Sequence, residues 1–311
     1  MKITSESILI TGAGGVIGRA LQHELATAGH QNVTAVTSKD VDLTDQGATE
    51  RLFNTVRPTL VFHLAARVWG IMGNLSNKGI AYLENTRINT NVVEAARMCG
   101  TKKIVAMGSA AIYSDLVTLP MSEDQIWNGP PHYSEAAYAH SKRSMLAQLE
   151  AYKDQYGLSF AYGISTNLFG PHDKFDEKFG HVIPSLISKF YKGQAHGESV
   201  SVWGTGKAER DFLFSHDAAF ALRLLAEEYE GPINLATGSS VTIRETVDML
   251  QKISGYTGAV EWDSTKPDGQ KLREYDISRL RALGFKPRQS FEQALSLTYN
   301  WYKENYSRAR R

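Results

Sequence analysis

Tyr138 and Lys142 stand at i and i+4 in Tyr138-Ala139-His140-Ser141-Lys142, a spacing that puts both on one face of a helix. A free tyrosine, with a pKa of about 10, moves protons poorly at neutral pH. An ammonium one turn away favours the phenolate, and a drop of three units would correspond to about 4 kcal/mol. Ser109 follows the apolar run Ile104-Val105-Ala106-Met107, from where its hydroxyl can bond the same carbonyl oxygen as Tyr138. Ser109, Tyr138 and Lys142 are thus the residue types for giving a proton to a carbonyl oxygen as it is reduced, or for the reverse. The competing reading is a surface tyrosine and lysine on a core helix.

A second signal lies near the start. Ile8-Leu9-Ile10-Thr11-Gly12-Ala13-Gly14-Gly15-Val16-Ile17-Gly18 reads as a strand, a glycine turn and a helix start, with Gly12, Gly15 and Gly18 spaced G-x-x-G-x-x-G. In that context the missing Cβ atoms let the backbone approach a pyrophosphate, and the helix N-terminus offers it free N–H groups. The alternative is a glycine-rich turn without a ligand. Dinucleotide binders that use NAD place an acidic residue roughly 20 residues on, for the ribose 2′-hydroxyl. Here Val36-Thr37-Ser38-Lys39 comes before the first carboxylate, Asp40. Hydroxyls and a lysine suit a 2′-phosphate, so NADPH (NADP) is the expected cofactor and NAD the alternative; Lys39 reads equally well as a solvated loop residue. The expected cofactor contacts are Gly12, Gly15, Val16, Ile17, Gly18, Ser38, Lys39, Asp42 and Leu43, then Leu64, Ala65 and Ala66 at the end of the third strand, with Tyr138 and Lys142.

The elements that must hold these groups alternate in the first half. Strands are expected at 8–10, 32–37, 59–64 and 103–107, and helices at 19–28, 45–56 and 82–98. Residues 136–156 read as a long helix and 160–165 as another strand. This order predicts an α/β fold, a Rossmann-type doubly wound parallel sheet. After Gly170-Pro171 the texture changes to loops and scattered aromatics. Helices at 182–191, 241–253 and 290–305 and a strand at 200–203 predict a smaller C-terminal substrate-binding domain. The expected division is 1–168 plus about 211–239 for the cofactor domain, and about 169–210 plus 240–311 for the substrate domain.

Composition narrows the classes. Among 311 residues, Lys plus Arg is 34 and Asp plus Glu is 33, a net charge of +1. A nucleic-acid binder needs a surplus of cations, so no nucleic-acid partner is expected. No stretch approaches the roughly 20 apolar residues of a membrane span, and the first residues lack the layout of a signal peptide. A cytoplasmic protein is therefore expected. The chain has one cysteine, Cys99, so an intrachain disulfide and a thiolate-rich zinc site are excluded, and no metal is expected.

Further segments are more specific: Gly108-Ser109-Ala110-Ala111-Ile112-Tyr113, Thr166-Asn167-Leu168-Phe169-Gly170-Pro171-His172-Asp173, His181-Val182-Ile183-Pro184, Val202-Trp203-Gly204-Thr205-Gly206 and Lys266-Pro267-Asp268-Gly269. With the two motifs above, the chain resembles the extended short-chain dehydrogenase/reductase superfamily and, within it, the GDP-L-fucose synthase family, which epimerises and reduces GDP-4-keto-6-deoxymannose. The resemblance covers nearly the whole chain, and the last three segments single out GDP-sugar members. It implies a GDP-sugar substrate, Ser109, Tyr138 and Lys142 as the reductive triad, and His181 as a further catalytic residue. It implies Asn167, His181, Val182 and Lys189 near the substrate, Trp203 against the guanosine, and Arg210 and Arg273 on the diphosphate, Arg273 replacing a family lysine. Trp203 as a core residue, and Arg210 and Arg273 as surface-paired cations, are the alternatives. A homodimer through helices around 85–98 and 138–152 is also implied.

The sequence departs from the family at one place. Family members carry a cysteine two residues after the catalytic serine, working with the histidine to move protons at C3 and C5. Here His181 is kept, but the cysteine position is Ala111. An alanine methyl neither accepts nor donates a proton, so reduction at C4 without efficient epimerisation is expected. A bifunctional epimerase/reductase and an NAD-dependent C4 dehydrogenase remain as alternatives. Related dehydratases carry an Asp-Glu pair where this chain has Ala110-Ala111, so dehydration lacks its acid and base. A non-catalytic dinucleotide-binding regulator would tend to lose Tyr138 and Lys142, and both are present.

Overall fold

The computed structural model describes residues 5–69, 71–177, 180–266 and 273–310. The first half runs β1 (Ile8–Thr11), α1 (Val16–Thr27), β2 (Val33–Val36), α2 (Gln46–Val56), β3 (Leu60–His63), α3 (Ile71–Ser76), α4 (Lys78–Met98), β4 (Lys103–Met107), α5 (Ala136–Tyr156) and β5 (Ser159–Ser165). Then come β6 (Asn167–Phe169), α6 (Val182–His196), β7 (Val200–Trp203), β8 (Glu209–Arg210), β9 (Phe212–Phe214), α7 (Ser215–Glu228) and β10 (Gly231–Leu235). The last elements are β11 (Val241–Thr242), α8 (Ile243–Ser254), β12 (Val260–Asp263), α9 (Ser278–Ala282) and α10 (Phe291–Glu304).

Six strands form one parallel sheet in the order β10-β5-β4-β3-β1-β2. Every residue of β1, β3 and β4 is buried, as the continuous apolar runs of a sheet covered on both faces require. The chain steps from β1 one way to β2 and then the other way through β3, β4 and β5. Right-handed crossovers therefore put α1 on one face and α4 and α5 on the other. The reversal between β1 and β3 opens a crevice at the strands' C-terminal ends. Gly12, Leu64, Ser109 and Asn167 all lie just beyond those ends.

A second cluster of buried residues includes Phe169, Phe175, Ile183, Phe190, Phe212 and Leu295. It is built from α6, α8 and α10 with the short pairs β6–β9, β7–β12 and β8–β11. Phe212 stacks on Phe291 at 5.5 Å, and Phe169 meets both. Glu24 on α1 accepts hydrogen bonds from Arg223 of α7 at 3.0 Å and from Arg288, just before α10, at 2.7 Å. That buried carboxylate ties the end of the chain to the first helix.

Three readings shift. Helix α1 begins at Val16, directly on the glycine turn, rather than at residue 19. Helix α8 begins at Ile243, because Thr242 and Glu245 close a capping box and Val241–Thr242 pair with β8. Helix α7 and strand β10 were not expected. Helix α7 buries residues on nearly every side, which erases the amphipathic period that marks a helix in sequence. No helix among the described residues is long and apolar enough to cross a membrane.

Candidate active site

The glycine turn is built by close approach. Gly12 has φ +73°, and a Cβ there would lie 2.6 Å from the Ala65 nitrogen. A Cβ on Gly18 would lie 2.5 Å from the Gly12 oxygen. Leu64 and Ala65 therefore rest directly against the turn, with Ala66 next in sequence. Gly15 caps α1 without a side-chain bond, and no acid stands in the first turn with Val16, Ile17 and Gly18. That end of the helix is left to an anion, so the residues present fit a dinucleotide pyrophosphate. Past β2, Ser38 and Lys39 are exposed. Asp40 is turned inward on its own loop, accepting from the Thr37 N–H at 2.8 Å and its hydroxyl at 2.7 Å. Asp42 is likewise engaged by Thr44, at 2.9 and 2.8 Å, and Leu43 is buried. The loop past β2 thus exposes a hydroxyl and an ammonium, with its nearest carboxylate occupied.

Ser109 leaves β4 in extended conformation and accepts from the Ala111 N–H at 3.2 Å. Tyr138 and Lys142 lie on α5, both buried. The Lys142 Nζ donates to the Met107 carbonyl at 2.8 Å and sits 5.8 Å from the centre of the Tyr138 ring. Burial pulls the ammonium down to about 8. The expected lowering of the phenol by this lysine is not what the geometry gives. Burial pushes Tyr138 well above 10, the Glu135 carboxylate adds to the rise, and the Ser109 hydroxyl returns only part of it. Desolvation outweighs attraction here because the ammonium is directed at a backbone carbonyl rather than at the phenol oxygen.

Beneath Lys142 runs a polar relay that the sequence reading missed. Asn89 on α4 donates through Nδ2 to the Ser141 carbonyl at 3.3 Å, so its Oδ1 faces the His63 Nε2 at 3.1 Å. The His63 Nε2 then carries the proton, and Nδ1 accepts from the Thr11 hydroxyl at 2.8 Å. Burial, with Lys142 next, lowers His63 to about 3, which keeps it neutral. The relay joins the residue before Gly12 to the helix turn that carries Lys142.

Of the residues that the resemblance places at the substrate, Asn167, Lys189, Trp203 and Arg210 lie on elements of the second body, and Arg273 on the segment that Tyr275 joins to Met121. Trp203 ends β7 with 48% of its surface exposed and Lys266 Nζ 5.8 Å over its ring, so it is not a core residue. Lys189 on α6 donates to the Ser201 carbonyl at 2.7 Å, and burial lowers its pKa. Arg210 on β8 donates to the Glu209 carbonyl at 2.7 Å. Arg273 pairs with Glu135, Nη2 to Oε2, at 3.5 Å. Asn167 donates to the Asp211 carbonyl at 3.4 Å. Asp211 itself is buried, held by Thr237 and Gly238, and pushed up by burial. A cavity of about 230 Å³ opens beside these groups, lined by Glu209, Asp211, Gly238, Ser240, Glu274 and Tyr275.

His181 caps α6, exposed and without a capping side-chain bond, with Val182 in the first turn. The buried Asp173 faces it electrostatically and keeps one oxygen, Oδ2, without a hydrogen-bond partner. Of the Lys266-Pro267-Asp268-Gly269 segment, residues 267–269 lie outside the described residues. Ser109, Tyr138 and Lys142 are brought together with Glu135 and Arg273, and His181 is placed beside Asp173. Glu135, His63, Asn89 and Asp211 were not singled out in sequence, and each carries only an ordinary polar letter there.

Comparison with known proteins is specific. The family described as "NAD dependent epimerase/dehydratase family" matches residues 8–236. A protein of Oryza sativa subsp. japonica, "Probable GDP-L-fucose synthase 1", is 35% identical over 98% of this chain and 94% of its own length. A crystal structure of a GDP-L-fucose synthetase from Naegleria fowleri bound to NADP is similar with TM-score 0.91 at 34% identity, covering 99% of this chain and 97% of that one. A GDP-6-OMe-4-keto-L-xylo-heptose reductase from C. jejuni is similar with TM-score 0.91 at 26% identity, over 97% of this chain and 99% of that one.

Proposed function

The chain belongs to the NAD dependent epimerase/dehydratase family, and from that premise we propose that it is an NADPH-dependent enzyme reducing C4 of a GDP-4-keto sugar without efficient C3/C5 epimerisation. The sugar is a 6-deoxyhexose, a dideoxyhexose or a heptose; fucose and a heptose are the sugars named in its relatives. The observation that carries the reading is Ala111. It is 4% exposed and clusters with Tyr138 and Ala139, its N–H bonded to Ser109. The position that the resemblance gives to a proton-moving cysteine is therefore an inert methyl packed on the proton donor.

NADPH, when bound, supplies the hydride. The rest falls to this chain. Tyr138 gives its proton to the C4 oxygen as charge develops there, and burial with Glu135 holds it as the phenol that a reduction needs. Ser109 offers a hydroxyl to the same oxygen. Lys142, fixed at the Met107 carbonyl, keeps a positive charge beside the Tyr138 ring. Trp203, Arg210, Arg273 and Lys189 hold the GDP portion, with Asn167 and His181 toward the sugar. Two copies associate through the helices around 85–98 and 138–152, on α4 and α5, where Met98 is exposed. The retained His181 favours a second reading, a bifunctional epimerase/reductase.

GDP-4-keto-6-deoxymannose and a GDP-4-keto-heptose, each with NADPH or NADH in deuterated water, separate the readings by NMR of the product. The expected result is NADPH consumption with no deuterium at C3 or C5. Deuterium at either carbon overturns the non-epimerising reading and supports the bifunctional one. Oxidation of neither cofactor with either sugar overturns both.

A further inference from the structure

Glu135 takes no part in the chemistry as assigned by the family resemblance. It stands at the N-cap of α5, one turn before Tyr138, and makes no capping bond with its side chain. It reaches instead to Arg273, at 3.5 Å, with side-chain exposures of 23% for Glu135 and 15% for Arg273. Arg273 arrives from the far end of the chain. Two residues on, Tyr275 is buried and bridges to Met121. A half-buried ion pair thus joins the first turn of the catalytic helix to the segment that supplies a diphosphate contact.

We propose that Glu135 is a positioning residue that pins Arg273 against the first turn of α5, so that one carboxylate serves both the grip on a nucleoside diphosphate and the acid Tyr138. The proposal rests on the reading of Arg273 as a diphosphate contact. A free arginine carries roughly 2 kcal/mol of rotamer entropy, and ordering it beforehand removes that loss from binding. Its planar guanidinium presents five donors. One edge can stay on Glu135 while the other meets phosphate oxygens. The lysine that the resemblance places here offers three rotatable donors from one atom and lacks the planar fork that fixes two anions on opposite edges. Around Tyr138, the neighbours that bear on its proton are Glu135 and Lys142 on its own helix, Ser109 past β4 and Tyr162 on β5. His63 on β3 faces Lys142 and stays neutral. Glu135 is the anion of the group, and its charge opposes loss of the Tyr138 proton.

Glu135→Gln removes the charge and keeps the shape. Calorimetry with GDP is expected to show roughly fivefold weaker binding, as for a modest ion pair. KM for the sugar nucleotide rises by a similar factor while KM for NADPH is unchanged. The alkaline limb of the kcat profile moves to lower pH, because without the carboxylate both the Lys142 ammonium and the Tyr138 phenol lose their protons more readily. Glu135→Asp keeps the charge but is one methylene short. It restores the limb and leaves GDP binding weak. Arg273→Lys weakens GDP binding like Glu135→Gln, and the double variant adds no further loss. This guards against a folding defect in either single variant. GDP affinity equal to wild type in Glu135→Gln, or an unmoved limb, overturns the proposal. A wild-type protein that does not bind GDP overturns the diphosphate reading itself and this inference with it.

Discussion

Lys142→Met should make the protein more stable and nearly inactive. Lys142 is 1% exposed, and burial lowers its ammonium from 10.5 to about 8. That gap corresponds to about 3 kcal/mol carried by the folded state at neutral pH. Methionine has a similar length and no charge. The bond to the Met107 carbonyl, 2.8 Å in the structure, is lost, at about 1 kcal/mol. The net gain is about 2 kcal/mol at pH 7, a rise in Tm of about 3 °C for a chain of this size. The sign of the pH dependence follows from the depressed lysine. Between about pH 8 and 10.5 the unfolded wild type holds more protons than the folded form, so wild-type stability climbs with pH. The advantage of the variant therefore shrinks across that window and is gone above it. Scanning calorimetry of both proteins from pH 7 to pH 10.5, with turnover measured alongside, reads this directly. A lower Tm at pH 7, or a gain that does not change with pH, would refute the reasoning.

Other predictions bear on separate parts of the site. Tyr138→Phe should cut turnover by about 10² to 10⁴, the range of a lost general acid, with NADPH affinity by fluorescence titration kept; substantial remaining turnover contradicts the assignment. Gly18→Ala places a Cβ 2.5 Å from the Gly12 oxygen and 2.6 Å from the Ala13 Cα. Backbone cannot yield there, so the melting temperature falls by an amount equivalent to about 1–3 kcal/mol and the NADPH-induced thermal shift is lost. Trp203→Ala should weaken GDP binding by about 1–3 kcal/mol, the scale of base stacking on an aromatic ring. It leaves the melting curve unchanged, because about half of the indole is in solvent.

Sheet and cofactor turn were legible because their constraints are local. A strand buried on both faces has to be an apolar run, and β1, β3 and β4 are such runs. Gly18 is demanded by Gly12 and Ala13, close by in sequence, and Gly12 by its own positive φ. Helix α7 escaped because Ala218, Ala219, Ala221, Leu222, Leu224, Leu225 and Ala226 bury too much of its circumference to show a period. Strands β6, β8, β9 and β11 are two or three residues long, below what alternation can reveal. The relay through His63 escaped for another reason. Its partners Thr11 and Asn89 lie 52 and 26 residues away in sequence, and only the packing of β1, β3 and α4 brings them within reach. The protonation of Tyr138 was misjudged because spacing reports that Lys142 is near, but not which atom it faces or how dry the site is.

The order of the sheet also says something about how the chain is made. Strand β5 has its outer neighbour, β10, only after the residues of β6 through α7 have been added. Synthesis proceeds from the N-terminus at about 5–20 residues per second. For several seconds a nascent chain therefore carries Ser159–Ser165, all buried in the finished protein except Ser159, as an open apolar edge. Such an edge is a template for pairing with another chain. The interleaving that lets the second body return a strand to the first thus leaves a window on the ribosome in which the nascent protein depends on being shielded.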